Sequence, residues 1–205
     1  MNPLIHKLIS EGYLKTDSII DAFDRVNRAD FLPPDLETEA EANVPLPIGH
    51  GQTISQPLTV AFMLEKLQPE KGDKILDVGA GSGWQTALLA HIVGQKGRVY
   101  GIERIPELVE FARDNLKKYS FKNIELVEGD GTKGLKKKAP FDKIIVAASA
   151  KEIPEALKEQ LKINGKLLIP MADNTLRLLT KKGKNKFKEE IFHSFVFVPL
   201  IEDEK

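Results

Sequence analysis

Short apolar runs alternate with helix-like patterns through the centre of the chain. The apolar runs are predicted strands at 75–78, 99–102, 124–127, 144–146 and 167–169. Between them, apolar residues at helical spacing predict helices at 84–93, 106–118 and 154–161. Strands that are apolar throughout are typically buried on both faces. This order therefore predicts an α/β fold with a mostly parallel sheet between helical layers.

The two ends of the chain follow other patterns. Residues 1–32 repeat apolar side chains at helical spacing, whereas residues 31–57 are rich in proline and glycine and are predicted to form an ordered loop. A helix is predicted to begin at Pro57, because proline is favoured in the first helical turn. Near the C-terminus, apolar segments at 176–180 and 191–198 flank a polar stretch, which predicts an antiparallel hairpin.

Composition narrows the class of protein without identifying it. A chain of 205 residues fits one domain, and 30 basic against 30 acidic residues leave no net charge that would favour nucleic acid or an acidic membrane. The absence of cysteine excludes disulfides, thiolate metal sites and a cysteine nucleophile. No apolar run approaches the roughly 18 residues of a membrane span, and no secretory signal is visible. We therefore expect a cytoplasmic protein without a metal site, whose lysines at 136–138 and 181–186 lie in solvated loops.

A glycine-rich turn follows the first predicted strand of the sheet. Residues 77–83 read Asp-Val-Gly-Ala-Gly-Ser-Gly, and glycines in such a turn let the backbone bend sharply and let a ligand approach the peptide groups. A dinucleotide fingerprint would place its third glycine at position 84, which is Trp84, and no P-loop lysine follows. The spacing of Gly79, Gly81 and Gly83 instead resembles motif I of class I methyltransferases.

Acidic positions extend the predicted site to the next two strands. Glu103 ends the second strand, where its carboxylate can accept hydrogen bonds from both hydroxyls of a ribose. Asp130 and Gly131 follow the third strand, where the carboxylate can accept from an adenine amino group and the glycine clears space. Each feature alone is also compatible with a solvated strand end or a plain turn. Their occurrence after three successive strands predicts a nucleotide site, with S-adenosylmethionine favoured over NAD.

Longer segments carry a resemblance to a known family. They lie at 47–57, 75–86, 139–146, 153–154, 160–161 and 197–200. Over about residues 4–200 the sequence resembles the protein-L-isoaspartate O-methyltransferases, and residues 51–57 are the most specific part. The resemblance implies a doubly wound, Rossmann-like class I methyltransferase fold with N-terminal helices. In that single domain, residues 1–70 would cover substrate and cofactor, and residues 71–205 would form the core.

The resemblance also implies a reaction. A methyl group passes from S-adenosylmethionine to the free α-carboxylate of an L-isoaspartyl residue in a damaged protein or peptide, and the ester then collapses through a succinimide. The family's active-site serine falls on Ser55, with Thr53, Ile54 and Gln56 positioning the substrate. The cofactor positions fall on Asp77, Gly79, Gly81, Gly83, Glu103, Asp130 and Gly131. We expect a monomer with no nucleic-acid or membrane partner.

Such a reaction needs few functional groups. A carboxylic acid with a pKa of about 3.5–4 is ionised at neutral pH, and the leaving group is a neutral thioether, so neither a general base nor an acid is required. Positioning alone can contribute about 7–11 kcal/mol in favourable cases. Ser55 could instead cap the helix that begins at Pro57. Glu41 and Thr175 depart from the residues usual in the family on the substrate side, an aromatic residue and a glutamine.

Alternatives remain open on the residues alone. A class I methyltransferase of RNA or a small molecule is possible, although Ala147-Ala148-Ser149-Ala150 replaces the Asn/Asp-Pro-Pro-aromatic motif of the amino-base enzymes and no basic surplus favours RNA. A non-catalytic module that binds S-adenosylmethionine is disfavoured by the intact glycine turn and Ser55. An NAD dehydrogenase is disfavoured by Trp84.

Overall fold

In the computed structural model, residues 2–201 are described. Their helices are α1 (Pro3–Ser10), α2 (Asp17–Arg25), α3 (Pro57–Leu67), α4 (Trp84–Val93), α5 (Pro106–Lys117) and α6 (Glu155–Glu159). Their strands are β1 (Leu46–Gly49), β2 (Gln52–Ile54), β3 (Lys74–Val78), β4 (Arg98–Glu103), β5 (Ile124–Glu128), β6 (Phe141–Val146), β7 (Leu161–Pro170), β8 (Thr175–Gly183) and β9 (Lys186–His193). Short 3-10 helices cover Arg28–Phe31, Pro34–Glu39, Gly131–Lys133 and Lys136–Lys138.

Strands β3 to β9 form one sheet in the order β5-β4-β3-β6-β7-β8-β9. Strands β3 to β7 pair in parallel, whereas β8 is antiparallel to both β7 and β9. The chain winds outward from β3 to β5 and then returns to place β6 on the other side of β3. A crevice opens at such a reversal, at the carboxyl ends of the strands. The predicted mostly parallel sheet with an antiparallel C-terminal hairpin is confirmed.

Successive residues of the central strands face opposite sides of the sheet. Ile75 and Ile145 pack into a core with α1 to α5, whereas Leu76 and Ile144 pack into a second core with Leu157 of α6. This alternation follows from the two-residue period of a strand. Since these side chains are all fully buried, both faces of each central strand must be apolar, which explains the continuous apolar runs.

The region predicted to be an ordered loop contains regular structure. Strands β1 and β2 form an antiparallel hairpin in which Leu46 lies opposite Ile54, and both side chains are buried. The prediction missed this hairpin because its strands are short and β1 contains Pro47, which demotes a strand assignment. The interpretation of residues 31–57 as loop alone was therefore wrong.

Two boundaries near the C-terminus also differ from the prediction. The last strand is β9, not residues 191–198, and residues 194–198 leave the sheet. Strand β9 lies at the sheet edge and is largely exposed, so it carries no apolar run that would mark it. The helix predicted at 154–161 is shorter, because α6 ends at Glu159 and Leu161 already begins β7.

Lys181 is not in a solvated loop, contrary to the expectation for residues 181–186. It lies in β8 and is only 7% exposed. Its Nζ donates to the carbonyl oxygens of Lys158, Glu159 and Leu161 at 2.8, 3.1 and 2.8 Å. A cation at this place satisfies carbonyl groups at the C-terminal end of α6.

Candidate functional site

A cavity lies at the carboxyl ends of β3 to β6. Its walls include the turns that follow these strands, namely residues 79–82, 103–105, Gly129 with Gly131, and 147–148. Strand β2 and the residue after it contribute residues 52–55, and the C-terminal segment contributes residues 198–201. This is the crevice in which doubly wound sheets bind ligands.

The glycine turn after β3 is held by main-chain hydrogen bonds. The N–H groups of Gly79 and Ala80 donate to the carbonyl of Ile102 at 2.9 and 3.1 Å. The φ angles of Gly79 and Gly81 are +80° and +52°, a region that favours glycine. A Cβ on Gly81 would also lie 3.4 Å from Cδ1 of Ile48 in β1. The turn therefore presents bare backbone to the cavity.

Gly83 has a different role from the other two glycines. A Cβ there would lie 3.3 Å from the Cβ of Ala112 in α5, and Gly83 does not line the cavity. The third glycine thus permits close packing between the start of α4 and α5. The next residue, Trp84, does line the cavity and packs edge-on against Phe23 with 5.6 Å between the ring centroids.

Glu103 joins the turns after β3 and β4. Its Oε1 accepts from the N–H groups of Arg104 and Ile105 at 2.8 and 3.1 Å, and its Oε2 accepts from Gly81 at 3.0 Å. Glu103 lines the cavity but is only 8% exposed. A carboxylate oxygen can accept more than one hydrogen bond, so both oxygens retain capacity for a ligand.

Asp77 lies beneath the glycine turn and does not line the cavity. It is completely buried, and it accepts from Gln85 Nε2 at 2.7 Å and from Thr86 Oγ1 at 2.6 Å. Burial raises the pKa of Asp77 from 3.8 to about 6; the two hydrogen bonds oppose this rise and the charge of Glu103 adds to it. Asp77 therefore ties the end of β3 to the first turn of α4, and the structure does not bring it to the cavity surface.

Asp130 and Gly131 are neighbours in the turn after β5 but have different roles. Asp130 Oδ1 accepts from the N–H and the hydroxyl of Thr132 at 2.9 and 2.6 Å, and Oδ2 lies 2.9 Å from Lys133 Nζ. Asp130 thus caps the short helix that follows and is not a wall residue of the cavity. Gly131 does line the cavity, and a Cβ there would overlap the side chain of Val78.

Ser55 lies where this cavity meets a second one. The second cavity shares Thr53, Ser55, Ala147 and Val198 with the first and adds Pro45, Gln56, Thr59, Val196 and Phe197. Ile54 lines the first cavity only. Within residues 2–201, the Ser55 hydroxyl makes no hydrogen bond. Ser55 is not the cap of α3, because Asn43 Oδ1 instead accepts from the N–H of Leu58 at 3.0 Å.

Sequence reasoning missed part of the second cavity. Val198 lines both cavities and is held by Ser149, whose N–H donates to the Val198 carbonyl at 2.7 Å. Only the resemblance at 197–200 pointed to this segment. Two residues, Glu41 and Thr175, depart from those usual in the family on the substrate side. Glu41 is exposed, and Thr175 is buried and donates its hydroxyl to Asp173 Oδ1 at 2.5 Å. Neither residue lines either cavity.

Two kinds of feature are absent from the described residues. Residues 2–201 contain no group of three or more His, Cys, Asp or Glu side chains that could hold a metal ion. No helix in the described part of the chain is both long and apolar enough to cross a membrane.

Glycine turns, a carboxylate at a strand end and an adjoining neutral site fit a class I S-adenosylmethionine-dependent methyltransferase. A solved structure supports this class: a Plasmodium falciparum chain, described as a protein-L-isoaspartate O-methyltransferase in complex with S-adenosyl-L-homocysteine, superposes with a TM-score of 0.88. It is 28% identical, and the match covers 98% of this chain and 97% of that one. The predicted cofactor and enzyme class are confirmed.

The family follows from the sequence comparisons. The family model of protein-L-isoaspartate(D-aspartate) O-methyltransferase (PCMT) matches residues 1–205, and the chain belongs to this family. Its relatives include the protein-L-isoaspartate O-methyltransferase of Ignicoccus hospitalis, which is 45% identical with 98% of this chain and 97% of the relative covered. The Methanopyrus kandleri enzyme of the same name is 44% identical, with 98% and 91% covered.

Proposed function

We propose that the protein methylates the free α-carboxylate of L-isoaspartyl residues in damaged proteins or peptides, and that Ser55 orients this carboxylate. The observation that carries the proposal is the place of Ser55 at the junction of the two cavities, where its hydroxyl forms no hydrogen bond within residues 2–201. The first cavity has the features of a cofactor site. The second cavity adjoins the first at Ser55, and we assign it to the polypeptide substrate.

The cofactor half of the proposal rests on the turns after β3 to β5. When bound, S-adenosylmethionine supplies an electrophilic methyl group and leaves as a neutral thioether. Gly79 and Gly81 would hold it through backbone groups, Glu103 would accept hydrogen bonds from the ribose hydroxyls, and Gly131 would leave space for the base. In this proposal Asp77, Gly83 and Asp130 do not contact the cofactor; they support the residues that line the cavity.

The substrate half rests on the neutral lining of the second cavity, to which no charged side chain of residues 2–201 contributes. An isoaspartyl carboxylate is already ionised at neutral pH, so the site has only to orient it. Thr53, Ile54 and Ser55 can offer backbone and hydroxyl groups to it. Gln56 acts indirectly, because its Nε2 donates to the Asn43 carbonyl at 2.8 Å.

The proposal extends to the organisation of the protein. We propose one domain in which residues 1–70 cover the site on residues 71–205, since the β1–β2 hairpin forms one wall of a cavity whose floor is the sheet. We also propose a monomer that works in the cytoplasm on proteins and binds neither nucleic acid nor membranes. Light scattering of the purified chain would test the oligomeric state.

The decisive test is transfer of a labelled methyl group to a peptide that contains L-isoaspartate, with the normal L-aspartyl peptide as its twin. We expect at least ~100-fold discrimination in kcat/KM, because displacing the reacting carboxylate by about 1 Å can cost that much. Comparable rates on both peptides would contradict the proposal. So would transfer to RNA with none to either peptide.

The role of Ser55 is tested by Ser55→Ala. We expect kcat/KM for the isoaspartyl peptide to fall by roughly 10–100-fold through loss of orientation, while cofactor affinity measured by calorimetry stays unchanged. Ser120→Ala, at an exposed serine outside both cavities, is the matched control. Detection of a methylated Ser55 by mass spectrometry would show a covalent role and overturn the orienting role.

A further inference from the structure

Arg28 is a buried cation that the proposed reaction does not use directly. It begins a 3-10 helix and is only 5% exposed. Within residues 2–201 it forms no ion pair. Burial lowers the pKa of Arg28 to about 10, so the guanidinium is still charged at neutral pH. A buried charge without a counter-ion is costly, and its surroundings therefore need an explanation.

Four carbonyl oxygens solvate this guanidinium. Nη1 donates to Ala40 and Ala42 at 3.0 and 3.2 Å, and Nη2 donates to Val44 and Ser55 at 2.8 and 3.2 Å. The first three carbonyls precede β1, and the fourth follows β2. Arg28 thus ties the two ends of the β1–β2 hairpin together at Ser55.

Asn43 also links the segment before β1 to the segment after β2. Its carbonyl accepts from Gln56 Nε2 at 2.8 Å, and its Oδ1 accepts from the N–H of Leu58 at 3.0 Å. We call Arg28, Asn43 and their hydrogen bonds to residues 40–44 and 55–58 the Arg28–Asn43 clasp. The clasp holds the backbone immediately before and after β1–β2 and the first turn of α3.

Arg28 also contacts the cofactor side. Its guanidinium carbon lies 5.5 Å from the ring centroid of Trp84, the first residue after the glycine turn. A guanidinium over an indole face is attracted by the ring quadrupole. Because Trp84 lines the first cavity, one side chain connects the Ser55 backbone to the cofactor crevice.

We propose that Arg28 is a positioning residue that sets the place of Ser55 relative to the glycine turn. The Ser55 hydroxyl has no hydrogen bond of its own within residues 2–201, so its place depends on its backbone, and Arg28 holds the Ser55 carbonyl. Arginine suits this role because a planar fork can serve four carbonyls at once, which the single ammonium of a lysine cannot do in the same geometry. This inference rests on the proposed orienting role of Ser55.

A purely structural role of Arg28 would have different consequences. If Arg28 only stabilised the fold, its replacement would lower the folded fraction by the same factor whether or not Ser55 carries its hydroxyl. If Arg28 acts through Ser55, its replacement costs little activity once that hydroxyl is absent. Non-additivity of this kind is what a double-mutant cycle measures.

The test is a double-mutant cycle of Arg28→Lys and Ser55→Ala on the full chain, with kcat and KM measured for an isoaspartyl peptide. We expect Arg28→Lys to lower kcat by roughly 10-fold or more with a smaller change in KM, and to lower it by less than about 3-fold in the Ser55→Ala background. Fluorescence of Trp84, the only tryptophan, and circular dichroism report packing and folding. Arg98→Lys is the matched control, because Arg98 also donates to a carbonyl and lies over a ring, that of Tyr100, outside both cavities.

The outcomes separate this inference from the proposed function. Unchanged activity of Ser55→Ala alone would contradict the role of Ser55, and the inference would fall with it. Reduced activity of Ser55→Ala together with equal losses from Arg28→Lys in both backgrounds would overturn the inference alone. If Arg28→Lys does not fold, Arg28→Gln replaces it in the same cycle. Equal losses from Arg28→Gln in both backgrounds would then overturn the inference.

Discussion

The cofactor side and the substrate side of the site are built in different ways. On the cofactor side, turns after consecutive strands contact each other, as when Glu103 accepts from Gly81 across 22 residues of sequence. On the substrate side, Ser55 is held by Arg28 from one part of the chain and faced by Val198 from the other end. Contacts of the first kind follow from strand order, whereas contacts of the second kind depend on how distant segments pack.

The two sides also differ in the charge that each one buries. Asp77 under the glycine turn and Arg28 under Ser55 are both shifted by burial, the pKa of Asp77 up to about 6 and that of Arg28 down to about 10. Only the first value lies close to neutral pH. Asp77 on the cofactor side should therefore change its protonation state in mild acid, whereas Arg28 on the substrate side should stay charged.

The largest effect is expected where the cofactor side depends on backbone conformation. Gly81→Val should weaken S-adenosylmethionine binding by at least ~100-fold, because a branched side chain is strained at a φ of +52° and would crowd Ile48. Calorimetry with the folded variant measures this. Gly94→Val is the control, since its φ is +63° but a Cβ there meets no atom within 4 Å. Equal loss of affinity in both variants would mean that general strain, not the turn itself, is responsible.

The second-largest effect is expected when the carboxylate of Glu103, which we assign to the cofactor ribose, is removed. Glu103→Ala should weaken cofactor binding by about 1.5–3 kcal/mol, the range for hydrogen bonds to a charged group, and it also frees the N–H of Gly81. Glu128→Ala is the matched control, because Glu128 is the register partner of Glu103 on β5 and is exposed. A folded Glu103→Ala variant with the affinity of the parent protein would show that the ribose assignment is wrong.

The smallest effect concerns the pH response of the cofactor side. The pKa of Asp77 is higher in the folded state than its ordinary 3.8, so between about pH 4 and pH 6 the folded state binds more protons and this group's contribution to stability falls as pH rises. Asp77→Asn removes this titration. From about pH 5 to about pH 6.5, its free energy of unfolding should therefore rise by about 1–2 kcal/mol relative to the parent protein, as measured by urea unfolding.

Asp142 provides a control of opposite sign for that experiment. Burial alone would raise the pKa of Asp142, but hydrogen bonds from Lys162 and from the N–H of Lys74 outweigh it and the pKa is lowered. Its contribution is present above its unfolded pKa and is lost as pH falls through the folded value. Asp142→Asn should therefore have a lower free energy of unfolding than the parent protein at neutral pH, and this difference should disappear in acid. A flat difference between Asp77→Asn and the parent protein over the whole range would contradict the buried titration of Asp77.

Much of the core could be predicted from the sequence, and the exceptions have physical causes. All five predicted strands of the parallel sheet exist. In β3, β4, β6 and β7 burial on both faces requires apolar residues, whereas β5 lies at the sheet edge and is only half-buried. The edge strand β9 was misplaced because exposure removes that requirement. The environment of Lys181 was predicted wrongly because a lysine can be buried when carbonyls accept its hydrogen bonds. Those carbonyls belong to residues that lie 20, 22 and 23 positions earlier in the chain.

The sequence by itself determined the five parallel strands of the sheet, the glycine turn after β3 and the carboxylate of Glu103, because strand period and backbone conformation act over short distances along the chain. It also determined the family, through segments spread over its length. Only the tertiary structure decided that Gly83 packs against α5, that Asp77 lies below the cavity surface, and that Ser55 is held by Arg28. These contacts depend on which distant groups pack closely together or satisfy a buried polar atom, and local sequence carries no record of that choice.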